Sequence, residues 1–118
     1  GLAEPIVHND LIERDFGIMT GKPVADIEEI CAPDIIKAEN VTYFLHPDGA
    51  ETFPELLARG QRVLDFMAYQ HPDQTVLLAC HGDIGKMIYA AATGTPWRQV
   101  LTDFYFGNTD IIGPVDIL

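Results

Sequence analysis

The chain has 118 residues, of which 47% are hydrophobic and 21% are charged, and its formal net charge at pH 7 is −11. This length and composition predict a single globular domain, residues 1–118, that is large enough for a hydrophobic core. The excess of acidic residues argues against nucleic acids and anionic membranes as partners, since both carry negative charge.

Targeting and redox signals are sparse. No apolar stretch reaches the length of a membrane-spanning helix, and Gly1–Glu4 does not resemble a signal peptide. The two cysteines, Cys31 and Cys80, lie in unrelated contexts and indicate neither a disulfide framework nor a metal cluster. We therefore expect a cytoplasmic protein without a cofactor.

A charge cluster lies in the first predicted loop. Glu13, Arg14 and Asp15 place two carboxylates around one guanidinium, and Gly17 and Gly21 follow at a spacing typical of a loop that changes direction. On the surface this cluster would be solvated, whereas beside a pocket it would offer a general acid and a clamp for an anion. The spacing leaves both interpretations open.

The segment that follows contains short elements. Pro23–Cys31 predicts a short helix with proline in its first turn. Asp34–Asn40 predicts one or two further helical turns, and Val41–Leu45 is either a short strand or an apolar lid segment.

The centre of the chain has the clearest pattern. Thr52–Glu55 reads as a capping box, and the helix that it begins should run to about Gln70. Val76–Cys80 is an uninterrupted run of apolar and small residues, which predicts a strand buried on both faces. A tight turn at Gly82 and a helix over Asp83–Thr93 follow, so the order of elements is that of an α/β protein.

The C-terminal part predicts a hairpin. Gly94 ends the preceding helix, and Thr95 is a candidate cap for a short one after it. Phe104–Phe106 predicts an aromatic strand, and a tight turn over Gly107–Asp110 leads to a return strand at residues 111–112. We expect the last residues, 115–118, to form a frayed edge or tail.

His81 has the most informative position of the four histidines. It stands between a predicted buried strand and a helix, where open α/β sheets place ligands and where the N–H groups of Gly82 and Asp83 would attract an anion. An imidazole there could bond an oxyanion, or it could be a core histidine bonded to a carbonyl, and position alone does not separate these. The string Gly82–Met87 is not a phosphate loop, because its glycines are too close and Met follows its lysine.

Five segments resemble, in the same order, motifs of the histidine phosphatase superfamily, also called phosphoglycerate mutase-like. The first is Leu11–Gly17 with Gly21, which resembles L-x-E-x-x-x-G…G, and the second is Asp48–Thr52, which resembles G-G-E-[ST] with Ala50 replacing the second glycine. The third is an arginine on the next helix, either Arg59 or Arg62. The fourth is Ala79–Gly82, which resembles V-x-H-G, and the fifth is Gly107–Thr109, which resembles the asparagine turn before the last strand. Among the branches, the sequence resembles the small phosphatases of broad or bisphosphate specificity more than the glycolytic mutases.

This resemblance implies roles for particular residues. Glu13 would be the catalytic proton donor and His81 the second catalytic histidine, while Arg14, Gly82 and Asp83 would bind the substrate. The substrate would be a phosphorylated small molecule, or phosphate itself, and no metal is expected. The implied fold class is α/β: a partial three-layer α/β/α phosphoglycerate mutase-like domain lacking its N-terminal strand.

One departure from the family pattern changes the expectation for activity. The sequence contains no R-H-G segment, whose histidine is the family's nucleophile and becomes phosphohistidine, and the family's second arginine is also missing. The resemblance therefore covers the C-terminal part of the family domain, and we expect a phosphate-ester pocket that is inactive alone. The alternative is a non-catalytic protein that binds phosphate or self-associates. Without the neighbouring strand, residues 76–80 would be an open apolar edge, which predicts a homodimer or swapped assembly.

Overall fold

The structure is a computed structural model that describes residues 3–116. Within this range the elements are α1 (Ile27–Cys31), β1 (Ile35–Lys37), β2 (Thr42–Phe44), α2 (Phe53–Gln70), α3 (Gly82–Thr93) and α4 (Trp97–Asp103). Short 3-10 turns lie at Asn9–Leu11, Gly17–Met19 and Val24–Asp26. The mixed α/β composition that the sequence predicts is confirmed, whereas the predictions for Gly1–Glu4 and for the tail 115–118 lie partly outside the described residues.

The helix α2 begins as its sequence predicts. The Thr52 hydroxyl accepts a hydrogen bond from the Glu55 N–H at 3.3 Å, and the Glu55 carboxylate accepts one from the Thr52 N–H at 3.4 Å. This capping box satisfies two N–H groups that the helix itself leaves free, and Pro54 is tolerated because it stands in the first turn. The helix ends at Gln70, as predicted.

The main core lies where α2 packs on α3. Leu56 and Val63 of α2 are fully buried in one cluster with Ile84 and Met87 of α3. Gly60 marks a close approach of the two helices, because a β-carbon at this position would lie 3.1 Å from the backbone of α3. The glycine that interrupts the apolar stripe of α2 therefore has a packing role.

The structure corrects one prediction for the short elements before α2, decides between two alternatives for a second and confirms a third. Asp34–Asn40 is not helical, because Ile35 and its neighbours pair with β2 in an antiparallel register that places Ile36 opposite Tyr43. β-branched residues favour this pairing over a helical turn. Val41–Leu45 contains β2, so the strand alternative is confirmed and the lid alternative is wrong. The short helix predicted for Pro23–Cys31 is confirmed, with a 3-10 turn before α1.

The predicted C-terminal hairpin does not form. The tight turn is present, since the Gly107 N–H donates to Asp110 Oδ2 at 2.7 Å and the Asp110 N–H donates to the Gly107 carbonyl at 3.3 Å. The flanking segments 104–106 and 111–112 are not paired as strands. A two-stranded hairpin without a supporting sheet is marginal, which explains the difference. The short helix α4 is confirmed, but its cap is Pro96 rather than Thr95.

The predicted buried strand Val76–Cys80 is also wrong for this chain. Among the described residues the segment has no strand partner, and Leu77 is 68% exposed. Cys80 is exposed as well, although the sequence predicts burial, while Cys31 is buried. A strand requires a neighbour for its backbone hydrogen bonds, so an apolar run alone is not sufficient. No helix within residues 3–116 has the length and apolarity needed to cross a bilayer.

Candidate active site

The loop that carries Glu13 is docked on the turn at residues 47–50. Phe16 and Ala50 form an isolated antiparallel bridge between the two segments. Gly17 has a positive φ of 56°, and a β-carbon there would lie 2.3 Å from the backbone of the turn, so this position requires glycine. The first two motif segments of the sequence are therefore parts of one packed unit.

The Glu13 carboxylate lies at the beginning of α3. Its Oε2 accepts a hydrogen bond from the Asp83 N–H at 3.1 Å, and its Oε1 accepts one from the Ile84 N–H at 3.1 Å and another from the Arg14 N–H at 2.8 Å. The first N–H groups of a helix have no partner inside it and attract negative charge. The structure thus brings Glu13 against the residues that directly follow His81.

His81 precedes the first turn of α3. Its backbone is extended, with φ −118° and ψ 173°, and its carbonyl accepts the hydrogen bond of Gly85 N–H at 2.9 Å. The imidazole is exposed and makes no hydrogen bond with any residue from 3 to 116. The alternative of a core histidine satisfied by a carbonyl is therefore wrong, and the ring is accessible to a ligand.

Arg14 is buried, with 4% of its surface exposed. Its Nε donates to the Glu51 carbonyl at 2.6 Å, and its Nη2 donates to the carbonyls of Phe44 at 2.8 Å and Leu45 at 3.0 Å. The guanidinium also lies 4.1 Å from the centroid of the Phe53 ring. Burial lowers the pKa of Arg14, and the neighbouring carboxylates oppose this change. Among the nitrogen atoms of this guanidinium, Nη1 makes no hydrogen bond in the described chain, so the predicted contact with a phosphate would be made by Nη1.

Asp83 is a mostly buried carboxyl group, 3.9 Å from Nη1 of Arg14. Burial and the charge of Glu13 together raise the pKa of Asp83 to about 6, although Lys86 and Arg14 partly offset both effects. Its N–H is already bonded to Glu13, whereas the N–H of Gly82 has no partner within residues 3–116. The backbone donor left for an anion is therefore that of Gly82.

Sequence reasoning missed Lys86 as a neighbour of this site. The residue is only 4% exposed, and its Nζ lies 5.4 Å from the centroid of Tyr43 and 5.2 Å from that of Phe106. Burial lowers the pKa of Lys86, while Asp83 and Glu13 oppose this. The available signal was helical spacing, because residues three apart share a helix face and Lys86 stands three after Asp83.

An open cleft of about 350 Å³ borders Glu13. Its charged lining consists of the carboxyl groups of Glu13, Asp15, Glu51 and Glu55 and the guanidinium of Arg59. No three His, Cys, Asp or Glu side chains in the described part of the chain are arranged to hold a metal ion. The cleft offers proton donors and acceptors around Glu13, whereas the exposed His81 is not among the residues that line it.

Comparison with known proteins places the sequence in a family. The sequence matches the protein-family model of the histidine phosphatase superfamily (branch 1) over residues 1–112. The chain belongs to this superfamily. No curated protein and no solved structure matches it. The mixed α/β fold is consistent with a partial phosphoglycerate mutase-like domain, so the membership that the five motif segments predicted is confirmed.

Proposed function

We propose that this histidine phosphatase domain provides the proton-donor side of a site for phosphomonoester hydrolysis. Glu13 is the donor, and His81 is the second catalytic histidine. The observation that supports this most directly is the pair of hydrogen bonds from the N–H groups of Asp83 and Ile84 to the Glu13 carboxylate. They hold the Glu13 carboxyl group at the beginning of α3, two and three residues after His81, and a general acid must lie within hydrogen-bond reach of its substrate.

The proposed reaction follows the resemblance to the family. A nucleophilic histidine attacks phosphorus in line, so that an N–P bond forms while the P–O bond to the leaving group breaks. Glu13 gives its proton to the leaving oxygen, and His81 donates a hydrogen bond to a phosphate oxygen. Water then hydrolyses the phosphohistidine. The 118 residues contain no R-H-G segment, so we expect no turnover by this chain alone.

The proposed substrate-binding residues surround the beginning of α3. Gly82 offers its N–H at the positive end of the helix dipole, and Arg14 offers Nη1. Asp83 can donate a hydrogen bond to a phosphate oxygen when it is protonated, and with a pKa of about 6 this form predominates below pH about 6. The ligand is a phosphorylated small molecule or phosphate. The exposed and buried cysteine thiols, which form no disulfide, agree with the proposed cytoplasmic location.

Binding and turnover can be measured separately. Titration of inorganic phosphate into the chain should shift the nuclear magnetic resonances of the His81 imidazole and the Gly82 amide. His81→Ala should abolish binding, whereas His71→Ala, a matched change in the turn after α2, should not. The chain should release no p-nitrophenol from p-nitrophenyl phosphate. Absence of the phosphate response contradicts the pocket, and turnover that His81→Ala abolishes contradicts the proposed inactivity.

A second candidate function is non-catalytic self-association. Val76 is 40% and Leu77 is 68% exposed in an extended segment without a strand partner in the described chain. Such an edge offers backbone donors and acceptors to another chain. We propose a homodimer or swapped assembly through the edge of residues 76–80, and no role for nucleic acid or membrane, given the net charge of −11.

A further inference from the structure

Glu13 lies in a segment with little regular structure of its own. This segment, the acid loop (residues 9–16), contains the single 3-10 turn Asn9–Leu11. The carbonyl groups of Asp10, Ile12 and Glu13 nevertheless converge on one side chain of α2. Three carbonyls that meet at one point require a donor with several N–H groups.

That donor is Arg59. Its Nη1 donates to the Asp10 carbonyl at 2.8 Å and to the Ile12 carbonyl at 2.7 Å, and its Nη2 donates to the Glu13 carbonyl at 3.3 Å. The side chain is only 9% exposed. A guanidinium holds five N–H donors in one rigid plane, so a single residue fixes the backbone at three points around the acid.

Glu51 holds the guanidinium from the other side. Its Oε2 accepts a hydrogen bond from Arg59 Nε at 2.9 Å, and its Oε1 accepts one from Nη2 at 2.8 Å. Its own N–H donates to the Asp15 carbonyl at 2.8 Å, and its carbonyl accepts from Arg14 Nε at 2.6 Å. Burial disfavours its charge, but the hydrogen bonds and charge of Arg59 outweigh burial and lower the pKa of Glu51, so the pair is ionic at neutral pH.

The same turn of α2 also determines where α3 lies. Gly60 follows Arg59 directly, and at Gly60 the backbone of α3 comes so close that an added β-carbon would lie 3.1 Å from it. The acid loop and α3 are therefore both fixed to one point on α2. Glu13 is the residue whose carboxylate bridges them.

We propose that Arg59, held by Glu51, is a positioning residue for Glu13. It keeps the acid loop at the distance that lets the Glu13 carboxylate reach the N–H groups of Asp83 and Ile84. The inference rests on the proposed role of Glu13 as proton donor. Positioning matters because displacement of a catalytic group by about 1 Å can reduce a rate by about 100-fold.

The test is the amide spectrum of the 118-residue chain at neutral pH. Glu13→Ala gives the resonance positions of the Asp83 and Ile84 amides without the carboxylate. Arg59→Gln should move both amides to those positions and accelerate their hydrogen exchange. Arg59→Lys should do the same, because an ammonium cannot reproduce the planar set of hydrogen bonds.

Arg62→Gln is the matched control. Arg62 lies three residues later on α2, is 58% exposed, and bonds the carboxylate of Asp10 at 3.1 and 3.2 Å rather than the backbone of the acid loop. This variant should leave the Asp83 and Ile84 amides at their wild-type positions. The inference is overturned when folded Arg59→Gln or Arg59→Lys keeps both amides at the wild-type positions.

A measurement on the unaltered chain covers the case in which the Arg59 variants do not fold. The Nε–H of Arg59, bonded to a mostly buried carboxylate, should exchange with water more slowly than the Nε–H of Arg62. Equal rates overturn the inference. Neither readout depends on turnover or phosphate binding, so failure of the proposed function and failure of the positioning role are distinguishable.

Discussion

Asp83 is a carboxyl group whose surroundings favour the protonated form. Burial and the charge of Glu13 raise the pKa of Asp83 from 3.8 to about 6, against the attraction of Lys86 and Arg14. Because the folded chain binds this proton more tightly than the unfolded chain, the group's contribution to stability is complete below pH about 4. That contribution is lost as the pH rises through about 6.

Replacement of this carboxyl should remove that pH dependence. In Asp83→Asn the side chain stays neutral at every pH. The variant and the wild type should therefore have similar free energies of unfolding near pH 4, and above pH 6 that of the variant should be higher by up to about 3 kcal/mol. Urea unfolding at several pH values measures this. Exposed Asp103→Asn is the control, with an expected change below about 0.5 kcal/mol. An equal difference between Asp83→Asn and wild type at pH 4 and pH 7 contradicts the prediction.

Single residues of the candidate site could be predicted where a local pattern marks them. Glu13 and His81 stand in recognisable motifs, and the structure brings their segments together. The burial of Arg14 and the hydrogen bonds from Arg59 to the acid loop could not be predicted. The carbonyl groups that accept hydrogen bonds from these two side chains lie 30 to 49 residues away along the chain. Sequence spacing describes neighbours on one helix or strand and not such distant partners.

Two glycines in helices show how element packing decides the effect of a substitution. Gly60 of α2 faces the backbone of α3, where a β-carbon would lie 3.1 Å from Ile88 N and 3.2 Å from Met87 C. Gly85 of α3 faces side-chain atoms instead, with the Phe106 ring 3.0 Å from the position of a β-carbon. A side chain can move aside more easily than a helix backbone.

We therefore expect opposite outcomes for the two alanine variants. Gly60→Ala gains up to about 1 kcal/mol of helix propensity but forces α2 and α3 apart, so it should be less stable than wild type by about 1–2 kcal/mol. Gly85→Ala should match the wild type or gain up to about 1 kcal/mol. Chemical unfolding of both variants measures the difference. Equal stability of the two variants would show that the close approach of α2 and α3 at Gly60 does not make a β-carbon there destabilising.

Helices and strands differed in how far the sequence determined them. The helix α2 was predictable because its cap, apolar stripe and stop are local, and the capping box at Thr52 is formed as expected. The strand predicted at Val76–Cys80 was not, because a strand depends on a neighbouring strand that no local pattern supplies. The same reason explains the missing hairpin at residues 104–112.

The whole molecule is less compact than its length allows. Its radius of gyration is 15.0 Å and its longest dimension is 46 Å, whereas a compact domain of this length has a radius of gyration of about 13.5 Å. Extended segments with exposed apolar residues account for part of this, including Val7 at 87%, Leu77 at 68% and Ile111 at 80% exposure. An isolated chain with this much exposed apolar surface should associate.

Sedimentation velocity tests this expectation. The wild-type chain should sediment as a dimer or larger species, and more completely at high salt, because the net charge of −11 repels a second copy. Leu77→Asp should give a monomer by placing a charge on the 76–80 edge. Tyr69→Asp, at a residue 83% exposed on α2, should leave association unchanged. A monodisperse wild-type monomer rules out self-association through this edge.

The contacts that assemble the candidate site also constrain the order of folding. They join residues far apart in the chain: Arg59 bonds the acid loop across 46 to 49 positions, and the bonds from α3 to Glu13 span 70 and 71. Closing such long loops costs entropy that is recovered only when the partners are already in place. The acid loop therefore has no stable position until α2 and α3 have packed against each other. As a consequence, Glu13 reaches its position at the beginning of α3 only in a chain whose core is already complete.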